Sequence, residues 1–197
     1  MKDTKERLVA GAFKLFLLHN FEKVTIADIE KETGISRGSI FYNFATKQDV
    51  FNHIIDTYIF EAQNLTNKIG YCEYASFSDF LKQYIMGINK TMAIMCSFSI
   101  VNIYKHYFSL IIQASKYYPN FQEKLNRLRE GEYNVWKDVI TKAIANKELK
   151  KDIDVEYTII QFRSVFLGVA FEQSLYYGLD VDWLYEYFQY MYKKIKA

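Results

Sequence analysis

The sequence predicts an all-α protein of about nine helices, on three observations. Apolar residues recur at three- and four-residue spacing through most of the chain. One proline and eight glycines are too few for a strand-and-turn architecture, which needs turn residues about every ten positions. Half of the 197 residues are hydrophobic and 18% are aromatic, with 17 Tyr and 16 Phe, enough for a sizeable core and against disorder.

Leu8, Val9, Ala12, Phe13, Leu15 and Phe16 mark the first helix, with Asn20 as a left-handed stop. Thr25 and Asp28 read as a capping-box variant opening a second helix over 26–33. Gly34 is free to take the positive φ of a tight turn, and Ser36 can cap a third helix over 37–43. Two turns are too short to be stable alone, so packing of Ile40 and Phe44 must hold that helix. Thr46 and Asp49 mark another capped start. Val50, Phe51, Ile54, Ile55, Tyr58, Ala62 and Leu65 then stripe a long fourth helix, 47–68. Beyond a loop at 69–76, periodic segments run over 77–89, 95–114, 121–145, 155–177 and 183–196. Pro119 and Asn120, followed by Glu123, separate the sixth from the seventh. Asp154 caps the eighth, Gly178 ends it, and Asp180 or Asp182 starts the ninth. The expected domains are a reading head at 1–46 and a body at 47–197, linked by helix 47–68.

A net charge of +2 does not announce nucleic acid, and Lys and Arg barely outnumber Asp and Glu over residues 1–50. Any phosphate-binding surface must therefore come from particular positions. Cys72 and Cys96 lack metal-type spacing and read as reduced thiols. His19, His53 and His106 are scattered, and Asp152, Asp154 and Glu156 are explained by helix capping, so no metal or cofactor is expected. The start MKDTKERL has neither signal nor transit pattern, and Ser97, Ser99 and Asn102 break the most apolar run, 92–104. A cytoplasmic protein without membrane contact is expected.

Two short helices joined by a glycine-containing turn, the second opening at a capped serine, are the layout of a helix-turn-helix. In that layout Arg37, Gly38 and Ser39, at the start of the second helix, approach base edges. Gly38 removes an obstructing side chain and Arg37 reaches guanine or phosphate. Tyr42 and Asn43 follow a turn later. Lys47 and the amides of its helix can hold a backbone phosphate, as can Thr25 across the groove. A plain helical hairpin has the same glycine and serine, so spacing alone leaves DNA binding and simple packing both open.

The wording of the segment goes further. TIADIEKETGISRGSIFYNFATKQDVF resembles the TetR family signature, at Thr25, Asp28, Ile29, Gly34, Ile35, Ser36, Arg37, Gly38, Phe41, Phe44 and Lys47, with the acid at Asp49 shifted one place. Ala12, Leu15, Phe16 and Phe21 are similar to that family's first helix. The match is specific over residues 5–55 and architectural beyond. Glu30 and Thr33 stand where the family has small Ala residues, and Asn20 stands where Gly is usual. Glu30 is expected to lean outward and pair with Lys31 or Arg37. Phe41 replaces a Tyr whose hydroxyl could bond phosphate, a loss Tyr42 can offset. The resemblance implies a symmetric dimer, a repressor presenting two recognition helices to successive major grooves of a palindromic operator on double-stranded DNA. It also implies release by a small effector that binds the C-terminal body and moves the long helix.

The body offers an aromatic set for a lipophilic or aromatic effector: Phe80, Tyr84, Met95, Phe98, Asn102, Tyr104, Tyr107, Trp136, Phe162 and Phe166. His106, Gln161 and Arg163 are further orienting groups. The last two helices carry more apolar faces than one protomer needs. Phe171, Leu175, Trp183, Tyr187, Phe188 and Met191 are the expected four-helix dimer interface, with Gly168 and Ala170 allowing close approach. The rival readings are a small-molecule carrier or interaction protein that keeps the helix-turn-helix, and an enzyme with an aromatic pocket. The enzyme is disfavoured, because no phosphate-cradling loop, nucleophile elbow or acid-base set is recognisable.

Overall fold

The computed structural model describes residues 2–70 and 74–197, and Cys72 lies outside them. Among these, ten α-helices and one π-helical segment follow in order: α1 Lys2–Leu18, α2 Ile26–Thr33, α3 Arg37–Asn43, α4 Lys47–Ile55, the π segment Asp56–Glu61, α5 Leu65–Ile69, α6 Phe77–Cys96, α7 Ile103–Tyr117, α8 Phe121–Ala145, α9 Val155–Ser174 and α10 Val181–Ile195. The chain divides into two packing units, one of 1–62 with 103–125 and one of 63–102 with 126–197. This cuts the chain elsewhere than the expected boundary at 46/47, because α4 and α7 both pack on α1.

The expected caps form as local chemistry dictates. Thr25 and Asp28 make a full capping box, as do Thr46 and Asp49, and Ser36, Asp154 and Asp180 each accept the amide three residues on. Gly34 sits at φ 66° and ends α2. Asn20 differs from expectation. Positive φ among the described non-glycine residues falls at Ser99, Asn102, Asn120 and Lys147, while the Asn20 carbonyl accepts the Lys23 amide at 2.9 Å and closes the turn that follows the first helix.

Two predicted helices are divided, while the segment predicted over 77–89 runs on to Cys96 and the one predicted over 155–177 stops at Ser174, short of Gly178. The long helix 47–68 is broken: its wide π turns at 56–61 are followed by Asn64, which caps α5 as a separate element. The predicted segment 95–114 is also divided. Ser99 (φ 54°) and Asn102 (φ 46°) turn the chain between α6 and α7, and the Asn102 amide donates to the carbonyls of Ser174 at 2.9 Å and Tyr176 at 3.1 Å.

In the first unit, Leu8, Phe13, Phe16, Ile29, Ile40, Phe51 and Ile54 are fully buried around α1. A Cβ on Gly11 would lie 2.5 Å from the Thr33 methyl. Gly11 on α1 thus makes the room that Thr33, in place of a small Ala, requires. The π segment is held from several sides. Tyr58 stacks on Phe13 at 3.8 Å, the Tyr107 hydroxyl donates to the Tyr58 carbonyl at 3.0 Å, and Asp56 accepts from Lys124 and, at 2.6 Å, from the Tyr118 hydroxyl. These bonds satisfy polar groups around the wide turns.

The second unit is built around Phe77, Phe80, Trp136, Phe162, Leu184 and Phe188, with rings meeting edge to face: Phe80 on Trp136 at 4.7 Å and Phe162 on Phe188 at 5.1 Å. Glu148 ties its ends. The carboxylate accepts the amides of Phe77 at 2.7 Å and Ser78 at 3.0 Å, and the Tyr192 hydroxyl at 2.9 Å. Burial and that carboxylate push the Tyr192 hydroxyl up to about 12.

Candidate nucleic-acid interface

Helices α2 and α3 are joined by Gly34, Ile35 and Ser36. Ile29, Ile35, Ile40 and Phe44 are buried, fixing α3 against the first unit while its other face stays in solvent. On that face Arg37, Gly38 and Ser39 are exposed at the helix start, with Phe41 and, at 78% exposure, Tyr42 a turn later. Nothing lies within 4 Å of a Cβ placed on Gly38, so this glycine leaves an open approach rather than relieving a clash inside the protein. The Arg37 guanidinium rests 5.6 Å from the centre of the Phe41 ring, so Phe41 here carries the arginine in place of a hydroxyl contact. No acidic residue occurs on α3. A helix that is cationic at its exposed end and free of carboxylates suits a phosphate-lined groove.

The remaining predicted contacts are arranged differently from one another. Thr25 and Ser36 are exposed but occupied in caps, and the Asn43 amide donates to the Ser39 carbonyl at 2.9 Å. Lys47 departs from its expected role most clearly. Its ammonium turns back onto the protein, donating to the Phe21 carbonyl at 2.8 Å and lying 4.2 Å from the Phe21 ring centre. There it holds the 19–25 connection to α4. Glu30, expected to lean outward and pair with Lys31 or Arg37, reaches the start of α3 and pairs with Arg37 through the backbone: its Oε1 accepts the Arg37 amide at 3.0 Å. A long-range cap of α3 therefore comes from a residue that stands out in the sequence as a departure from the family pattern. Glu30→Ala is expected to cost about 1 kcal/mol, a fall of about 3 °C in melting midpoint, with faster hydrogen exchange confined to the start of α3.

The predicted effector set is brought together only in part: Phe80, Tyr84, Trp136, Phe162 and Phe166 are in ring contact, and the other five are not part of that group. Phe80, Tyr84, Trp136 and Phe162 are core residues of the second unit, whereas Tyr104 and Tyr107 belong to the first. Met95 is buried on α6, Phe98 and Asn102 lie on the connection after it, and Phe166 packs at the edge of the core. A recess of about 610 Å³ in the second unit is lined by Leu65, Ile69, Tyr74, Phe77, Asp138 and Glu148 among others, and by none of the predicted set. A second, of about 410 Å³, is lined by Arg129, Glu130, Tyr133, Asn134 and Arg163. Arg163 is bound into the body, its Nε and Nη2 donating to Glu132 at 3.1 and 2.8 Å, with the Tyr84 hydroxyl on the other Glu132 oxygen at 3.0 Å.

The predicted interface residues separate by face. Phe171, Leu175, Trp183 and Tyr187 are exposed, but Phe188 is fully buried and Met191 packs against the core. The exposed stripe extends instead to Ile160 and Leu167 on α9 and Tyr190 on α10. Spacing on α10 contains the signal, since 183, 187 and 190 share one face and 184, 188 and 192 another. Among the described residues no helix is long and apolar enough to cross a membrane, and no cluster of His, Cys, Asp and Glu is placed to hold a metal.

Residues 8–54 match the family model of the bacterial regulatory proteins, tetR family. The chain is 35% identical over 49 residues to the HTH-type transcriptional repressor AcnR of Corynebacterium glutamicum, covering 25% of this chain and 26% of that protein. It thus aligns with about a quarter of that relative's length. A TetR-family transcriptional regulator from Agrobacterium tumefaciens has a similar fold, with a TM-score of 0.69 at 16% identity over 100% of this chain and 99% of that one. A transcriptional regulator from Saccharomonospora viridis, solved in complex with choline, also reaches 0.69, at 14% identity over the whole of both chains.

Proposed function

We propose that this chain, whose residues 8–54 match the family model of the bacterial regulatory proteins, tetR family, is a homodimeric transcriptional repressor that works in the cytoplasm on a palindromic operator and is released by a small effector. The observation that carries the DNA-binding part is the solvent-facing α3, with Arg37 and Tyr42 projecting from a helix held by buried Ile40 and Phe44. A short helix that is packed on one face and bare on the other serves as a reading element. The self-association part rests on α9 and α10, where Leu167 is 53% exposed, Phe171 50% and Trp183 44%. A contiguous exposed apolar stripe of this kind is buried in a four-helix contact between two copies. Gly168 lies in the stripe with no neighbour within 4 Å of its Cβ position, which leaves room for a partner helix.

The test is binding to a palindrome from the protein's own promoter region. Affinity should exceed that for random duplex and fall steeply as salt rises, through phosphate contacts. Arg37→Ala is expected to relax sequence preference by about 1 to 3 kcal/mol at one position of each half-site, read by fluorescence anisotropy on matched and mismatched operators. Equal affinity for operator and random DNA in the parent protein would overturn the proposal.

A further inference from the structure

Part-buried in the second unit is a charge cluster that packing alone does not account for. Glu132 holds its two oxygens against Arg163 and the Tyr84 hydroxyl, both at hydrogen-bond distance. Lys68, on α5, feels the same carboxylate, but its ammonium bonds to the neutral Gln63 amide oxygen and lies 5.9 Å from the centre of the Phe166 ring. Arg163 thus occupies the carboxylate, while the Lys68 ammonium is bonded to a neutral group. Arg163 also lines the recess of about 410 Å³, whose other charged residues, Arg129 and Glu130, are of opposite sign, so that Arg163 and Lys68 together outweigh Glu132 by one positive charge. Loss of hydration pulls the Lys68 ammonium down to about 8, against the upward pull of Glu132.

A second observation is independent of charge. Trp136 is one helical turn along α8 from Glu132, fully buried, and its indole N–H has no acceptor. Its ring meets Tyr84 at 5.2 Å, and Tyr84 meets Phe166 at 5.9 Å. Donors and positive charge are therefore in surplus beside aromatic surface, and the complementary ligand is rich in acceptors, negative, and apolar elsewhere.

We infer that this cluster is the polar end of the effector site, and that the effector is an organic anion, a carboxylate on an apolar skeleton, with Lys68 as its charge partner. The inference rests on the proposal that the protein is effector-controlled. It separates this chain from a receptor for a quaternary ammonium such as choline, which would bring a third cation to the cluster. It also sharpens the expected lipophilic effector by adding a charged end.

The test compares matched probes on the full-length dimer without DNA: decanoate, decanol and decyltrimethylammonium, and the same three head groups on a 4-phenylbutyl skeleton. Binding is read by calorimetry and by the indole N–H resonances of Trp136 and Trp183. At least one carboxylate should bind saturably and at least tenfold more tightly than its alcohol, and should move the Trp136 resonance. Lys68→Gln should remove that tenfold preference while leaving alcohol binding unchanged. Glu132→Gln should strengthen carboxylate binding, an opposite sign that damage to the fold would not produce. No saturable carboxylate binding, a preference for the ammonium probes, or a shift confined to Trp183 would each overturn the inference. Carboxylate binding by a protein that ignores its operator would leave this site standing and refute the repressor reading. Operator binding combined with a preference for the ammonium probes would do the reverse.

Discussion

In the proposed dimer, Leu167→Glu combined with Phe171→Glu is expected to give a folded monomer and to lower operator affinity by about a hundredfold or more, the loss that follows when two linked half-site contacts become independent. Both side chains are about half exposed on the outer face of α9, so charge there disturbs little within the protomer. In a four-helix contact between copies, four carboxylates would instead be forced into one apolar seam, where unpaired charge is costly. Sedimentation velocity should show a single species of half the mass, with an unchanged helical circular dichroism spectrum. A double variant that stays dimeric would place the subunit contact elsewhere. The same substitution at Phe188 should behave differently. That residue is sealed in the core against Phe162, so a glutamate there unfolds the body rather than dividing the assembly.

Phe162→Ala is expected to destabilise the body by about 3 to 5 kcal/mol, the range for removing a buried phenyl ring, with a fall in melting midpoint of roughly 10 °C. Phe162 is fully buried, with ring neighbours at 5.5 Å (Phe77), 5.5 Å (Trp136) and 5.1 Å (Phe188). Alanine would leave a void that these rings, fixed by one another, cannot close. The measurement decides between two roles. A pocket-lining phenylalanine loses ligand affinity on truncation but little stability, whereas a packing phenylalanine loses stability first. A midpoint within about 2 °C of the parent, equivalent to less than 1 kcal/mol for a chain of this size, would assign Phe162 to a cavity wall.

The residues that were legible in advance are those whose structural partners sit within a few positions along the chain. Thr25 with Asp28, Thr46 with Asp49, and Ser36, Asp154 and Asp180 all act through an amide three residues away. Gly34 acts through its own φ. Such contacts form wherever the local backbone allows them. The helix-turn-helix is made almost entirely of these, which is why its boundaries could be read from the chain.

Where the partner is distant, the same residue types do not announce it. Lys47 reads as a free cation at a helix start, yet Phe21 supplies a carbonyl and a ring face that hold it. Asn102 reads as a pocket donor within a helix, but adopts positive φ and donates to carbonyls beyond the end of α9. Helix α10 is apolar on two faces, and periodicity cannot say which one a protomer keeps for itself. Packing against Phe162 and Tyr84 turns Phe188 inward and leaves Trp183 and Tyr187 outside.

By itself the sequence determined the all-α class, the capped helix starts and the two short helices joined at Gly34, because hydrogen bonds spanning three or four residues and one helical period are written locally. Only the tertiary structure decided that Glu30 caps α3 and that Gly11 makes room for Thr33. It also decided that the predicted pocket aromatics are mostly core, and that Arg163 and the Tyr84 hydroxyl share the carboxylate of Glu132. Each of those outcomes depends on which helix faces come together. Burial and electrostatic pairing act through space, and their strength depends on neighbours that no window of sequence contains.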